Sequence, residues 1–128
     1  MTKATAYAAH AEGTTTEANG ENSHAEGSGT IANGENSHSS GFVTYADRKS
    51  QMVIGEYNIR DTDIGSSGSD RGKYVFIIGN GVFPKHSNAL TVDWNGNVQM
   101  YLDTINVELD NSILTAIQSL GWEDDVID

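Results

Sequence analysis

Three of the four histidines, His10, His24 and His38, stand 14 residues apart, and the first two are followed two positions later by Glu12 and Glu26. Imidazole is a metal ligand, a general base and a pH-sensitive contact, so imidazole beside carboxylate invites a metal, acid/base or switch reading. Copying argues against catalysis. A reacting group is needed once, whereas a residue that returns at a fixed period serves the period, and the Glu neighbours that return with it favour a structural contact. No nucleophile motif surrounds any Ser, His or Asp, and no Gly-rich phosphate loop opens a helix. The sequence therefore predicts no enzyme, no cofactor and no dedicated metal centre. A glycan-processing enzyme is the weakest alternative, since it needs paired carboxylates about 5 to 9.5 Å apart in a cleft.

The elements that must position these residues are written in the same repeat. The copies read AHAEGTTTEANGEN, SHAEGSGTIANGEN and SHSSGFVTYAD, with Gly13, Gly27 and Gly41 in phase, Ala18, Ala32 and Ala46 in phase, and Gly20 matching Gly34. A short repeat with fixed glycines and small residues at alternate places suits one coil of a β-solenoid, two strands of about five residues each closed by a glycine corner. Period-2 alternation puts Ser23, Ala25 and Gly27 on one face and His24 and Glu26 on the other. It likewise turns Thr30, Ala32 and Gly34 inward. The glycines at 13, 20, 27, 34 and 41 are expected to supply positive φ or close backbone approach at the corners.

Three coils at about 4.8 Å spacing make a slab roughly 14 Å tall. An interior of Ala, Ser, Thr and Gly buries little apolar area, and at about 25 cal/mol per Å² it does not offset roughly 1 to 2 kcal/mol of backbone entropy per residue. The open ends also expose strand edges. Self-association, with the downstream segment as a cap, is the expected remedy.

The SHAEG and GxxTxANGENSHxxG phrases resemble the 14-residue head repeats of trimeric autotransporter adhesins. The His/Glu form is most similar to that of tail-fibre and tail-appendage proteins of phages and prophages of Gram-positive bacteria. Gln51 to Asn58 resembles the segment that closes such repeats, and Gly72 to Gly81 with Ser87 to Asn97 resembles the module that follows. The resemblance implies a left-handed parallel β-roll assembled as a homotrimer, a structural part of a virion that presents a surface to a host-cell receptor, glycan or protein. A bacterial cell-surface adhesin head is the alternative. Adhesin heads carry apolar residues where this chain has His24 and Glu26, so His10, Glu12, His24, Glu26 and His38 either line the trimer interface as paired charges or face water. On a three-fold axis the histidines would be placed to hold a metal or an anion.

Composition sets further bounds. With 128 residues the chain is one structural unit, and its net charge of −11 argues against a nucleic-acid backbone as partner. Without cysteine there is neither a disulfide framework nor a Cys-based zinc site. No apolar run is long enough to span a membrane, and residues 1–9 lack a signal-peptide pattern, so no membrane insertion is expected.

Beyond the repeats, Phe42, Val43 and Tyr45 replace small residues, which predicts a roll widening into a cap with a larger core. Residues 61–72 read as a solvated loop; Asp61, Asp63 and Asp70 depart from calcium-loop spacing. Tyr74 to Ile78 is a buried-strand run, and Asn95-Gly96 is a hairpin signal between Ala89–Trp94 and Val98. Asp93, Asn95 and Asn97 fit turn chemistry better than metal binding. Pro84, Lys85 and His86 form an exposed loop suited to a contact. Leu109, Ile113, Ala116 and Leu120 have helical spacing, with N-caps at Asp110 to Ser112, Gly121 at the end and Trp122 packing back on Ile117. The expected architecture is mainly β: a β-roll with its closing segment over 1–58, a hairpin-containing module over 59–103, and a short C-terminal helix with an acidic tail over 104–128.

Overall fold

The computed structural model describes residues 1–63 and 70–102 together with Thr115, Ala116 and Ser119. The expected C-terminal helix, the packing of Trp122 on Ile117 and the acidic tail lie outside the described residues apart from those three positions.

The chain winds into stacked parallel coils, each with one long and one short strand. The short strands β1 (Lys3–Ala4), β3 (Glu17–Ala18), β5 (Ile31–Ala32) and β7 (Tyr45–Ala46) form one sheet in that order. The long strands β2 (His10–Thr14), β4 (His24–Ser28), β6 (His38–Phe42) and β8 (Met52–Glu56) form the other. That second sheet continues through β9 (Tyr74–Asn80), β10 (Asn88–Asp93) and β11 (Val98–Met100) in the order β11-β10-β9-β8-β6-β4-β2. β9 joins β8 in parallel, and β10 and β11 then add antiparallel, so both sides of position 58 contribute to one sheet. His10 stands opposite His24, and His24 opposite His38, so the pairing follows the phase of the repeat.

The second strand of each coil has two residues rather than about five. Much of the difference goes into left-handed corners at Ala8, Asn22, Asn36 and Ser50, and at Thr15, Gly29, Val43 and Tyr57. The repeated glycines supply the expected positive φ and close backbone approach, but three of them do so inside strands rather than at corners. Gly13, Gly27 and Gly41 lie inside long strands with φ of 103°, 107° and 113°, stacked one above another, while Gly20 and Gly34 keep ordinary φ and let neighbouring backbones approach.

Alternation sets the interior. Ala18, Ala25 and Ala32 are fully buried, as are Thr16, Thr30 and Thr44. One inward column, read across the paired strands, runs Ala11, Ala25, Ser39, Val53 and Ile77. The core thus grows towards β9, where Ala46, Val53 and Ile77 pack together with Tyr74 beside them. Phe42 and Tyr45 do not build it: Phe42 is 43% exposed and Tyr45 half-buried, because their positions fall in phase with outward Ser28 and Ile31.

Where the short-strand sheet ends at β7, two buried amides take over from backbone. In lower coils Ile31 N–H donates to the carbonyl of Thr44, 13 residues on. At β7, Tyr45 N–H donates instead to Oδ1 of Asn58 at 2.8 Å, and Asn58 Nδ2 donates back to the Tyr45 carbonyl at 3.2 Å. Gln51 Oε1 likewise accepts from Asp47 N–H at 3.1 Å. Asn58 and Gln51 occupy the phases held below by Thr44 and Ser37, so a longer amide at each place finishes an edge that would otherwise be open.

Outside, Thr5, Asn19, Asn33 and Asp47 form a hydrogen-bonded ladder with links of 2.9, 3.0 and 2.7 Å. Arg60 closes it with two bonds of 2.8 Å to Asp47. Burial raises the Asp47 pKa, but hydrogen bonds from Arg60 and Asn33 and the charges of Arg60 and Arg48 outweigh it, leaving the carboxyl below its ordinary 3.8. A depressed carboxylate pKa gives stability that is present above the unfolded value and lost as pH falls through the folded one. Arg60→Ala is therefore expected to lower the urea midpoint at pH 7 and to make its decline below about pH 4 shallower than in the parent. Parallel curves for the two proteins would refute this role.

Candidate functional site

The long strands carry the repeated His and Glu residues on their outer face. Within one strand the residues at i and i+2 share a face, and the parallel register stacks each on its counterpart in the next coil. His10 and His24 meet edge to face with ring centroids 4.8 Å apart, and His24 and His38 stack at 4.6 Å. The column continues through Met52 to Phe76, so the face turns from imidazole to apolar along the roll.

The carboxylates bind this column unevenly. Glu12 Oε2 lies 3.4 Å from His10 Nε2, and its Oε1 lies 3.9 Å from His24 Nε2. The second contact is within ion-pair range yet too long for a hydrogen bond, and His24 Nε2 is buried without a hydrogen-bond partner among the described residues. Glu26 reaches the next coil more closely. Its Oε1 meets His38 Nε2 at 3.3 Å, and hydrogen bonds from Ser40 and then His38, with the nearby imidazoles, keep its carboxyl below the ordinary range against a small opposing effect of burial. Beside the column, Glu12, Gly13, Glu26, Gly27, Ser40 and Gly41 line a shallow groove, open because the glycines present no side chain.

The structure brings His10, Glu12, His24, Glu26 and His38 into one ladder, and leaves Pro84, Lys85 and His86 apart from it, on an exposed loop between β9 and β10. That loop is tied to the roll. Val82 and Lys85 exchange backbone hydrogen bonds of 3.0 and 2.8 Å, across a cis Phe83-Pro84 peptide, and His86 Nδ1 donates to the Asn58 carbonyl at 2.9 Å. Phe83 is 74% exposed and approaches Tyr57 at 6.2 Å; Tyr57 in turn meets Phe42 at 5.3 Å and His86 at 5.4 Å. Arg60 lies over the Tyr45 ring at 4.4 Å. This aromatic surface was not expected from the sequence, although the outward phase of Phe42 and Tyr45 signals it.

Asp61 corrects the expectation of a solvated loop. It is 4% exposed, and its Oδ2 accepts from Gln51 Nε2 at 3.0 Å, Lys73 N–H at 2.9 Å and Tyr74 N–H at 3.0 Å. Asp93 behaves as turn chemistry requires, with Oδ1 accepting from Asn95 and Asn97 N–H, each at 2.9 Å. Its carboxyl is held low first by the Asn97 side chain.

The fold defines the class, a β-solenoid of stacked parallel coils extended by a small antiparallel meander. Compared with protein-family models, with curated proteins and with solved structures, the chain matches none. Among the described residues, no helix is long and apolar enough to cross a membrane.

Proposed function

We propose that the chain is a homotrimeric, non-enzymatic structural module of a phage or prophage tail fibre or appendage, and that it presents a surface to a receptor on the host cell. The observation that carries the trimer is a parallel sheet with only its inner face covered. Parallel sheets are normally buried on both faces, yet here the outer face leaves Met52 40% exposed beside the half-exposed His/Glu ladder. The inner face packs mostly small residues, so the fold needs apolar area from elsewhere. Two further copies laid against the outer face would supply it. The resemblance of the SHAEG repeats to trimeric heads gives the same assembly, a left-handed roll with the phase of 14 residues.

The receptor reading draws on the other exposed surface. Phe42, Tyr57 and Phe83 form a connected aromatic group with His86 at its margin, the mixture of ring faces and polar groups that contact surfaces favour. Light scattering coupled to size exclusion is expected to give a mass of three chains of 13.7 kDa each. A stable folded monomer would overturn the trimer. Fluorescently labelled protein is expected to bind Gram-positive cells, and Phe83→Ala to reduce that binding at unchanged mass; equal binding by parent and variant would remove the loop from the receptor surface.

A further inference from the structure

We infer that His10, Glu12 and His24 form a binding site for one borderline divalent transition-metal ion, of which zinc is the type, built within a single chain across β2 and β4 at the β2 side of the long-strand sheet. Their ligand atoms, one from each side chain, all lie within 4.8 Å of one another. The geometry follows from the strands. His10 and Glu12 share the outer face of β2, and the register sets His24 directly beside His10 on β4. Zinc bonds of about 2.0 to 2.2 Å place neighbouring tetrahedral ligands about 3.4 Å apart. Glu12 already stands 3.4 Å from His10 and 3.9 Å from His24, and the side chains of His10 and Glu12 are 63% and 59% exposed, so small rotations close the cage.

The second observation is one ring nitrogen of His24. His24 Nε2 is buried, has no hydrogen-bond partner among the described residues and has the Glu12 carboxylate just beyond bonding distance. A cation bound to both would satisfy that nitrogen. Two imidazoles and one carboxylate select zinc, copper or nickel over calcium or magnesium, which prefer oxygen, and leave a position for water. Among the described residues the next coil does not gather a second such group, and there Glu26 also takes a hydrogen bond from Ser40. One ion per chain is therefore expected. Such an ion would staple β2 to β4, where the first coil is mostly exposed and has little core of its own.

The test uses the full, tag-free chain in its native assembly, titrated with zinc chloride by calorimetry and followed by melting temperature. The expected result is saturable binding of one zinc per chain, a raised melting temperature, and X-ray absorption showing two imidazole nitrogens and carboxylate oxygen. His10→Gln and Glu12→Gln, conservative changes at side chains that the single chain leaves exposed, should each weaken binding about tenfold or more. His38→Gln should change it less than about twofold. Absence of saturable binding at about 1 mM zinc would overturn the site, as would affinity that survives both His10→Gln and Glu12→Gln. The stoichiometry is counted per chain, so this outcome is independent of whether the mass is that of three chains.

Discussion

Gly27→Ala is expected to cost at least about 3 kcal/mol and to leave little folded protein at ambient temperature. Two effects add. Gly27 has φ of +107° in the middle of a strand, a backbone region that side-chain-bearing residues reach at a cost of about 1 to 3 kcal/mol. An added Cβ would also overlap the carbonyl oxygen of Gly41 in the next coil. That obstacle is backbone held by ladder hydrogen bonds on both sides, so it yields only if the coils separate. Gly13 meets Gly27, Gly41 meets Gly55 and Gly55 meets Gly79 in the same way, which makes the column a condition for stacking at all. Gly96→Ala is the matched comparison. Gly96 has φ of +84° in an exposed turn with open space around it, so it incurs only the backbone effect, about 1 to 2 kcal/mol. Urea unfolding followed by circular dichroism separates the two. Equal losses for Gly27→Ala and Gly96→Ala would show that contact between coils contributes nothing.

The inside and outside of the roll were legible because period-2 alternation and the repeat agree. Ser23, Ala25, Thr30 and Ala32 are buried, and His24 and Glu26 stand on the other face, as the pattern predicts. Size misled where phase would have served. Phe42 and Tyr45 read as core because they are large and apolar, yet Phe42 stands in register with Ser28, and Tyr45 with Ile31, on the outer face. The same phase marks Gln51 and Asn58 as successors of Ser37 and Thr44, buried positions at which only a longer amide reaches the neighbouring strand edge. The ladder itself was visible as a set of residues but not as a site. Which carboxylate serves which imidazole depends on side-chain rotation: Glu12 divides itself between His10 and His24, whereas Glu26, in the equivalent position, meets His38 at 3.3 Å. Asp61 was beyond reach for another reason: the donors that hold it come from positions 10 to 13 residues away in both directions, in a stretch whose Gly, Ser and Asp content spells loop.

Asp61→Ala is expected to destabilise the fold by about 3 to 5 kcal/mol. The chain leaves the roll after β8 and returns as β9, and this one carboxylate ties the two ends of the excursion. Oδ2 takes the side-chain amide of Gln51 from the last coil and the backbone N–H groups of Lys73 and Tyr74 at the entry to β9. Oδ1 takes Asp63 N–H at 3.1 Å, and the Asp61 carbonyl accepts from Arg48 Nε at 2.8 Å. Alanine would strand several donors in a region that water reaches poorly, each costing about 1 to 3 kcal/mol if it finds no other acceptor. Asparagine keeps an oxygen where Oδ2 stands but turns an N–H₂ towards Asp63 N–H, so Asp61→Asn should lose about half as much. Hydrogen exchange supplies the local reading. The Lys73 and Tyr74 amides should be protected in the parent and exchange rapidly in Asp61→Ala, with the Ala25 and Ala32 amides of the lower coils least affected, because their ladders do not pass through Asp61. Persistent protection of Lys73 and Tyr74 in Asp61→Ala, with an unchanged urea midpoint, would mean that β9 is anchored by its pairing with β8 alone.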